Sequence, residues 1–118
     1  NKILIGKRPI GAIFENLWEF PGGKVNQNET VEQALIRETK EEINIDLRMN
    51  CIAPLSFSIY ESQNINLIIL LFISRKWDLE PICKFHSELK WVKAISLNKY
   101  NMPPANKHLV SSLQDLFL

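Results

Sequence analysis

The stretch GGKVNQNETVEQALIRETKEEINI, residues 22–45, decides how the chain is read. Thr30 is followed three positions later by Gln33, the reciprocal pair of a capping box, and neither Pro nor Gly interrupts residues 31–43. That pattern predicts a helix over Thr30 to Ile43. Asn44 stands where the helix should stop, and Asn tolerates the left-handed backbone of a C-terminal cap. With about 100° between successive residues, Glu41 and Glu42 fall about −60° and about +40° from Glu38, so the three carboxylates share one ridge. Leu35, Ile36, Thr39 and Ile43 form the adjoining stripe, which can dock on a sheet.

Like charges three and four positions apart each cost a few tenths of a kcal/mol on a helix, and Glu29 adds a fourth carboxylate just upstream. Arg37 can reach the edge of the ridge, whereas Lys40 projects away from it. One arginine cannot neutralise four glutamates. Hard divalent cations prefer oxygen ligands, and Mg²⁺ commonly takes one or two carboxylates together with substrate phosphates. A charge-rich run is by itself equally a solvated helix face, so the decision rests on what surrounds it.

Outward from the ridge, 118 residues allow one domain, residues 1–118. Hydrophobic residues make up 46% and charged residues 23%, which excludes disordered and low-complexity classes. Fourteen Lys+Arg against 13 Asp+Glu leave a charge of +1, giving no field for duplex DNA or an anionic membrane, so neither nucleic acid nor a membrane is an expected partner. Cys51 and Cys83 lie far apart without metal-type spacing, which fits a reducing cytoplasm. No leader peptide is visible before Lys2, and the chain opens on Asn1. Strands are expected at Lys2 to Lys7, Leu17 to Phe20, Ile52 to Tyr60, Leu67 to Ser74 and Leu89 to Ala94, with a second helix over Ala105 to Phe117. The run Leu67 to Ile73 is apolar on both faces and reads as a central strand. Trp18, Trp77, Trp91 and Phe72 read as core.

Gly23, five residues, Glu29, seven residues, Arg37-Glu38, then Glu41-Glu42 resemble the signature of the Nudix hydrolases. Thr39 stands where that family carries an apolar residue and Asn44 where it carries Gly. Leu17 to Lys24, Trp77, Trp91 and Met102-Pro103-Pro104-Ala105-Asn106 are similar to the MutT-like branch. The resemblance implies an α/β (α+β) fold with a mixed curved sheet between helices, and an N-terminal hairpin whose first strand is absent here. It implies Mg²⁺, with Mn²⁺ as a substitute, held by Glu38, Glu41, Glu42 and the Gly22 carbonyl. Glu29 and Arg37 would support that site. Arg8, Gly22, Gly23, Lys24 and Asn106 would contact a nucleoside triphosphate. The activity implied is hydrolysis of 8-oxo-dGTP to the monophosphate and pyrophosphate, by a monomer or a dimer.

The branch carries a further glutamate where this chain has Phe85. His86 and Glu88 lie beside it, and Glu88 could serve as a metal ligand after a local shift; both are equally read as ordinary loop residues. The Asn106 amide offers an acceptor and a donor side by side, and an acceptor aimed at N7 pairs with 8-oxoguanine, which has a hydrogen there, but not with guanine. Its alternative is satisfying backbone amides at a helix start. The alternative for Arg8 is a solvated charge beside a proline turn. Two other functions stay open, a pyrophosphohydrolase of another nucleoside triphosphate such as CTP or dCTP and a non-catalytic Nudix binding module. Tyr60 weakens a third, ADP-sugar hydrolysis.

Overall fold

The computed structural model describes residues 1–118. Its elements run β1 (Lys2–Lys7), β2 (Trp18–Glu19), α1 (Val31–Ile43), β3 (Asp46–Leu47), β4 (Ile52–Ser62), β5 (Ile65–Ser74), β6 (Trp77–Asp78), β7 (Glu88–Lys93) and α2 (Asn106–Leu116), with 3-10 turns at Met49–Cys51 and Ala94–Lys99. The mixed α/β order agrees with the sequence. All strand pairs are antiparallel, in sheets β2-β1-β7, β3-β6 and β4-β5, where the resemblance implies one mixed sheet. The β4-β5 ribbon pairs with no third strand and meets the β2-β1-β7 sheet through side chains instead, with Leu55 and Leu71 packed against the shared core.

The main core gathers Ile5, Trp18, Val92, Leu97, Val110 and Leu113 from β1, β2, β7, the Ala94–Lys99 turn and α2. Trp18 meets Tyr100 edge to face at 5.3 Å. Chain ends are thereby closed on each other, because β1 lies between β2 and β7, with Gly6 opposite Glu19 on one side and Leu89 on the other. β2 and β7 therefore run in the same direction, and that register brings the starts of both strands, Trp18 and Glu88, to the Lys7 end of β1.

The apolar run of β5 is not a central strand. Ile68 is 68% exposed and Leu67 and Leu70 are exposed as well, because no element covers the outer side of the β4-β5 ribbon. An unbroken apolar run signals burial only where both faces find partners. Trp91 also departs from the core reading: it is exposed and stacks on the half-buried Trp77 at 5.8 Å. No helix is long and apolar enough to cross a membrane.

Candidate active site

The ridge is set on α1 by its caps. Thr30 Oγ1 accepts from the Gln33 backbone N–H while the Gln33 side chain accepts from that of Thr30, completing the capping box. At the other end Asn44 adopts φ 63° and donates to the Lys40 carbonyl. Ala34, Thr39 and Ile43 are buried, while Leu35 and Ile36 are only half-buried. Thr39 fits an apolar position because its hydroxyl donates to the Leu35 carbonyl at 2.8 Å, leaving its methyl for packing.

Arg37 organises the approach to the ridge. Its Nε and Nη2 donate to the two oxygens of Glu29 at 2.8 and 3.0 Å, its Nη1 to Glu38 Oε1 at 2.8 Å, and Nη2 also to the Lys24 carbonyl at 2.9 Å. The Glu29 carboxyl is held down to about 2, first by Arg37 and then by the Asn26 N–H at 2.8 Å. The same carboxylates raise Arg37 further above its ordinary value. Glu41 is more exposed and lies 3.5 Å from Arg37 Nη1.

The Gly22-Gly23 turn faces this helix. A Cβ at Gly23 would overlap the Glu38 carboxylate, so glycine there leaves the room that the carboxylate occupies. The Gly22 N–H donates to Glu42 Oε1 at 3.1 Å. Burial pushes the Glu42 carboxyl up to about 7, against the lowering effect of the Gly22 hydrogen bond and of His86, with Glu19 and Glu38 adding to the rise.

A second cluster adjoins Glu42. The Ile82 and Lys84 N–H groups donate to the carbonyls of Ile43 and Glu42, stitching the loop before β7 onto the end of α1. Ser87 N–H donates to the Lys7 carbonyl at 3.0 Å, and the Cys83 thiol to that of His86 at 2.8 Å. His86 is thus buried over Gly6, where any Cβ would strike its ring. Its Nε2 lies 2.8 Å from Glu19 Oε2, and ligand atoms of Glu19, Glu42 and His86 all fall within 4.8 Å of one another. Arg8 Nη1 reaches both Glu19 oxygens, at 3.0 and 3.2 Å. Sequence reasoning missed Glu19. The available signal was strand alternation, which turns Glu19 away from the buried face of Trp18.

A family model of the NUDIX domain matches residues 1–112. The chain belongs to the Nudix family. It is 33% identical to the 8-oxo-dGTP diphosphatase of Escherichia coli (strain K12), over 98% of this chain and 88% of that one. A solved MutT structure, from work on the Aliivibrio salmonicida and Vibrio cholerae proteins, superimposes with TM-score 0.83 at 31% identity, covering 98% of this chain and 87% of that one. The likeness to the E. coli CTP pyrophosphohydrolase, 49% identity, spans 38% of this chain and 33% of that one.

Glu88, the candidate for a further metal ligand, opens β7. It is exposed and lies 3.9 Å from Lys90 Nζ. Asn106 is buried at the start of α2, whose N-cap is Ala105 without a side-chain bond, so the capping alternative is removed. The Asn106 amide nitrogen lies 3.9 Å from Met102 Sδ, and no hydrogen bond within the chain engages its amide oxygen. Glu38, Glu41 and Glu42 are oxygen donors of the kind a hard divalent cation takes, and two of them, Glu42 and Glu38, meet the Gly22-Gly23 turn.

Proposed function

We infer that this Nudix chain hydrolyses 8-oxo-dGTP to 8-oxo-dGMP and pyrophosphate, clearing the oxidised base from the nucleotide pool of the cytoplasm. The single observation that carries the reading is the Glu38, Glu41 and Glu42 ridge, braced by Arg37 and Glu29, in a chain that matches an 8-oxo-dGTP diphosphatase along nearly its whole length. Mg²⁺, or Mn²⁺ in its place, would be held by Glu38, Glu41, Glu42 and the Gly22 carbonyl, neutralise phosphate charge and lower the pKa of an attacking water.

The rest is done by the chain itself. Arg37 fixes Glu38 against Glu29 so that the ridge keeps its shape without substrate. The Gly22 N–H orients Glu42. The free Asn106 amide oxygen is the acceptor offered to the N7 hydrogen of the oxidised base, and pairing of that kind discriminates by roughly 10⁴–10⁵ where the wrong base leaves it unpaired. Arg8 is paired with Glu19, Gly23 meets Glu38 and the Lys24 carbonyl accepts from Arg37, and these three residues would contact the triphosphate. All four box glutamates are in place, which speaks against a module without catalysis.

The deciding experiment is turnover of a panel of 8-oxo-dGTP, dGTP, dCTP, CTP and ADP-ribose with Mg²⁺, products identified. Preference for 8-oxo-dGTP with release of pyrophosphate, reduced in Asn106→Ala, is the expected outcome. Equal turnover of dCTP would transfer the assignment to a cytidine nucleotide.

A further inference from the structure

The Glu19, Glu42 and His86 atoms lie close enough to suggest a metal seat, but the hydrogen bond between His86 and Glu19 argues otherwise. Its side chain is fully buried and Nδ1 has no hydrogen-bond partner. A buried N–H without an acceptor loses its hydration and gains nothing in return. Nε2 therefore carries a proton, donated to Glu19 Oε2 at 2.8 Å. A nitrogen that donates to Glu19 has no lone pair left for a cation.

Glu19 in turn holds Arg8. The Arg8 guanidinium donates through Nη1 to both Glu19 oxygens and through Nε to the Ile13 carbonyl. The Phe85 ring lies 5.8 Å from Arg8 Cζ and meets the His86 ring edge-on at 5.1 Å. The guanidinium is thus held by Glu19, the Ile13 carbonyl and Phe85, while Nη2 makes no hydrogen bond within the chain and the side chain stays 22% exposed. An arginine fixed in this way presents two donors without losing further rotamer freedom on binding.

We propose that His86 and Phe85 are positioning residues that fix Arg8 through Glu19 and through the ring face, so that Arg8 Nη2 meets an oxygen acceptor of the nucleotide. The inference rests on the nucleotide reading above for its ligand but not for its geometry. The acceptor is a phosphoryl oxygen or a base carbonyl, and dATP, which lacks a base carbonyl, separates the two.

The test uses the full chain carrying His86→Ala, His86→Gln, Phe85→Ala or Glu19→Gln. Hydrogen exchange of the Arg8 Nε–H, followed by NMR without nucleotide or metal, should accelerate roughly tenfold in His86→Ala and Glu19→Gln and recover in His86→Gln, whose amide can still donate. KM for 8-oxo-dGTP should rise roughly tenfold in the same variants with kcat within about twofold. Mn²⁺ affinity without nucleotide should stay unchanged in His86→Ala. An equal KM rise with dATP places Nη2 on phosphate, and a rise confined to 8-oxo-dGTP places it on the base carbonyl. Loss of Mn²⁺ binding in His86→Ala, or Arg8 exchange and KM that do not move, would overturn the proposal. A wild-type chain that turns over none of these nucleotides defeats the proposed function, while the Arg8 exchange measurement still decides this inference.

Discussion

Glu42 and Glu29 respond to pH with opposite sign. A carboxyl raised from 4.5 to about 7 on folding binds more protons folded than unfolded, so Glu42 makes the metal-free protein lose stability as pH rises from about 4.5 to about 7. Glu42 is partly open to solvent, which limits the effect to about 1–2 kcal/mol. Glu42→Gln should therefore flatten the loss and leave the metal-free protein more stable than wild type at pH 8 by thermal melts, while abolishing the Mg²⁺-dependent rise in Tm and lowering turnover at least about hundredfold. Glu29, held down to about 2, contributes stability that is complete above its unfolded value of 4.5 and is lost as pH falls toward 2. Glu29→Gln should blunt that acid transition and cost about 10–100-fold in Mn²⁺ affinity or turnover, measured by calorimetric titration and steady-state kinetics. These residues were legible because their intervals lie within one helix and its approach. Glu19 and His86 were not, because their partnership joins positions 67 apart and exists only once β1 has brought β2 and β7 together.

Two glycines set how closely elements approach the site. At Gly6, the middle strand β1 leaves space for the His86 ring; at Gly23, the turn leaves space for the Glu38 carboxylate. Filling either forces a neighbour to move, at about 1–3 kcal/mol for a packed position. Gly6→Ala should destabilise the protein in denaturant melts and free Arg8 as His86→Ala does. Gly23→Ala should leave the melt closer to wild type, because Glu38 can swing outward, yet weaken Mn²⁺ binding. Helix α1 was legible from Thr30, Gln33 and Asn44, whose caps are local chemistry. The placement of β5 was not, since Leu67 to Ile73 describe only what the strand carries, and burial depends on what lies across from it.

Across the molecule, the glutamate ridge of α1 and the apolar β4-β5 ribbon are separate regions. In β4-β5, Ile59 lies opposite Ile68 and Phe57 opposite Leu70, so these four side chains share one face, and each is 46% exposed or more. A contiguous apolar patch beside an unpaired strand edge is a template for association. Helix α1 packs on β3 and the Met49–Cys51 turn, and the ridge is braced from Glu29 and Gly22, which leaves the ribbon outside that support. Charges on the ribbon should therefore change association without touching chemistry. The apparent mass of the wild-type chain should rise with concentration in sedimentation velocity, whereas Ile59→Lys with Ile68→Lys should hold one mass across the same range and keep wild-type Mn²⁺ affinity and kcat. A double variant that stays associated would move the contact elsewhere on the surface, and one that loses Mn²⁺ binding would show that ribbon and ridge are coupled through the fold.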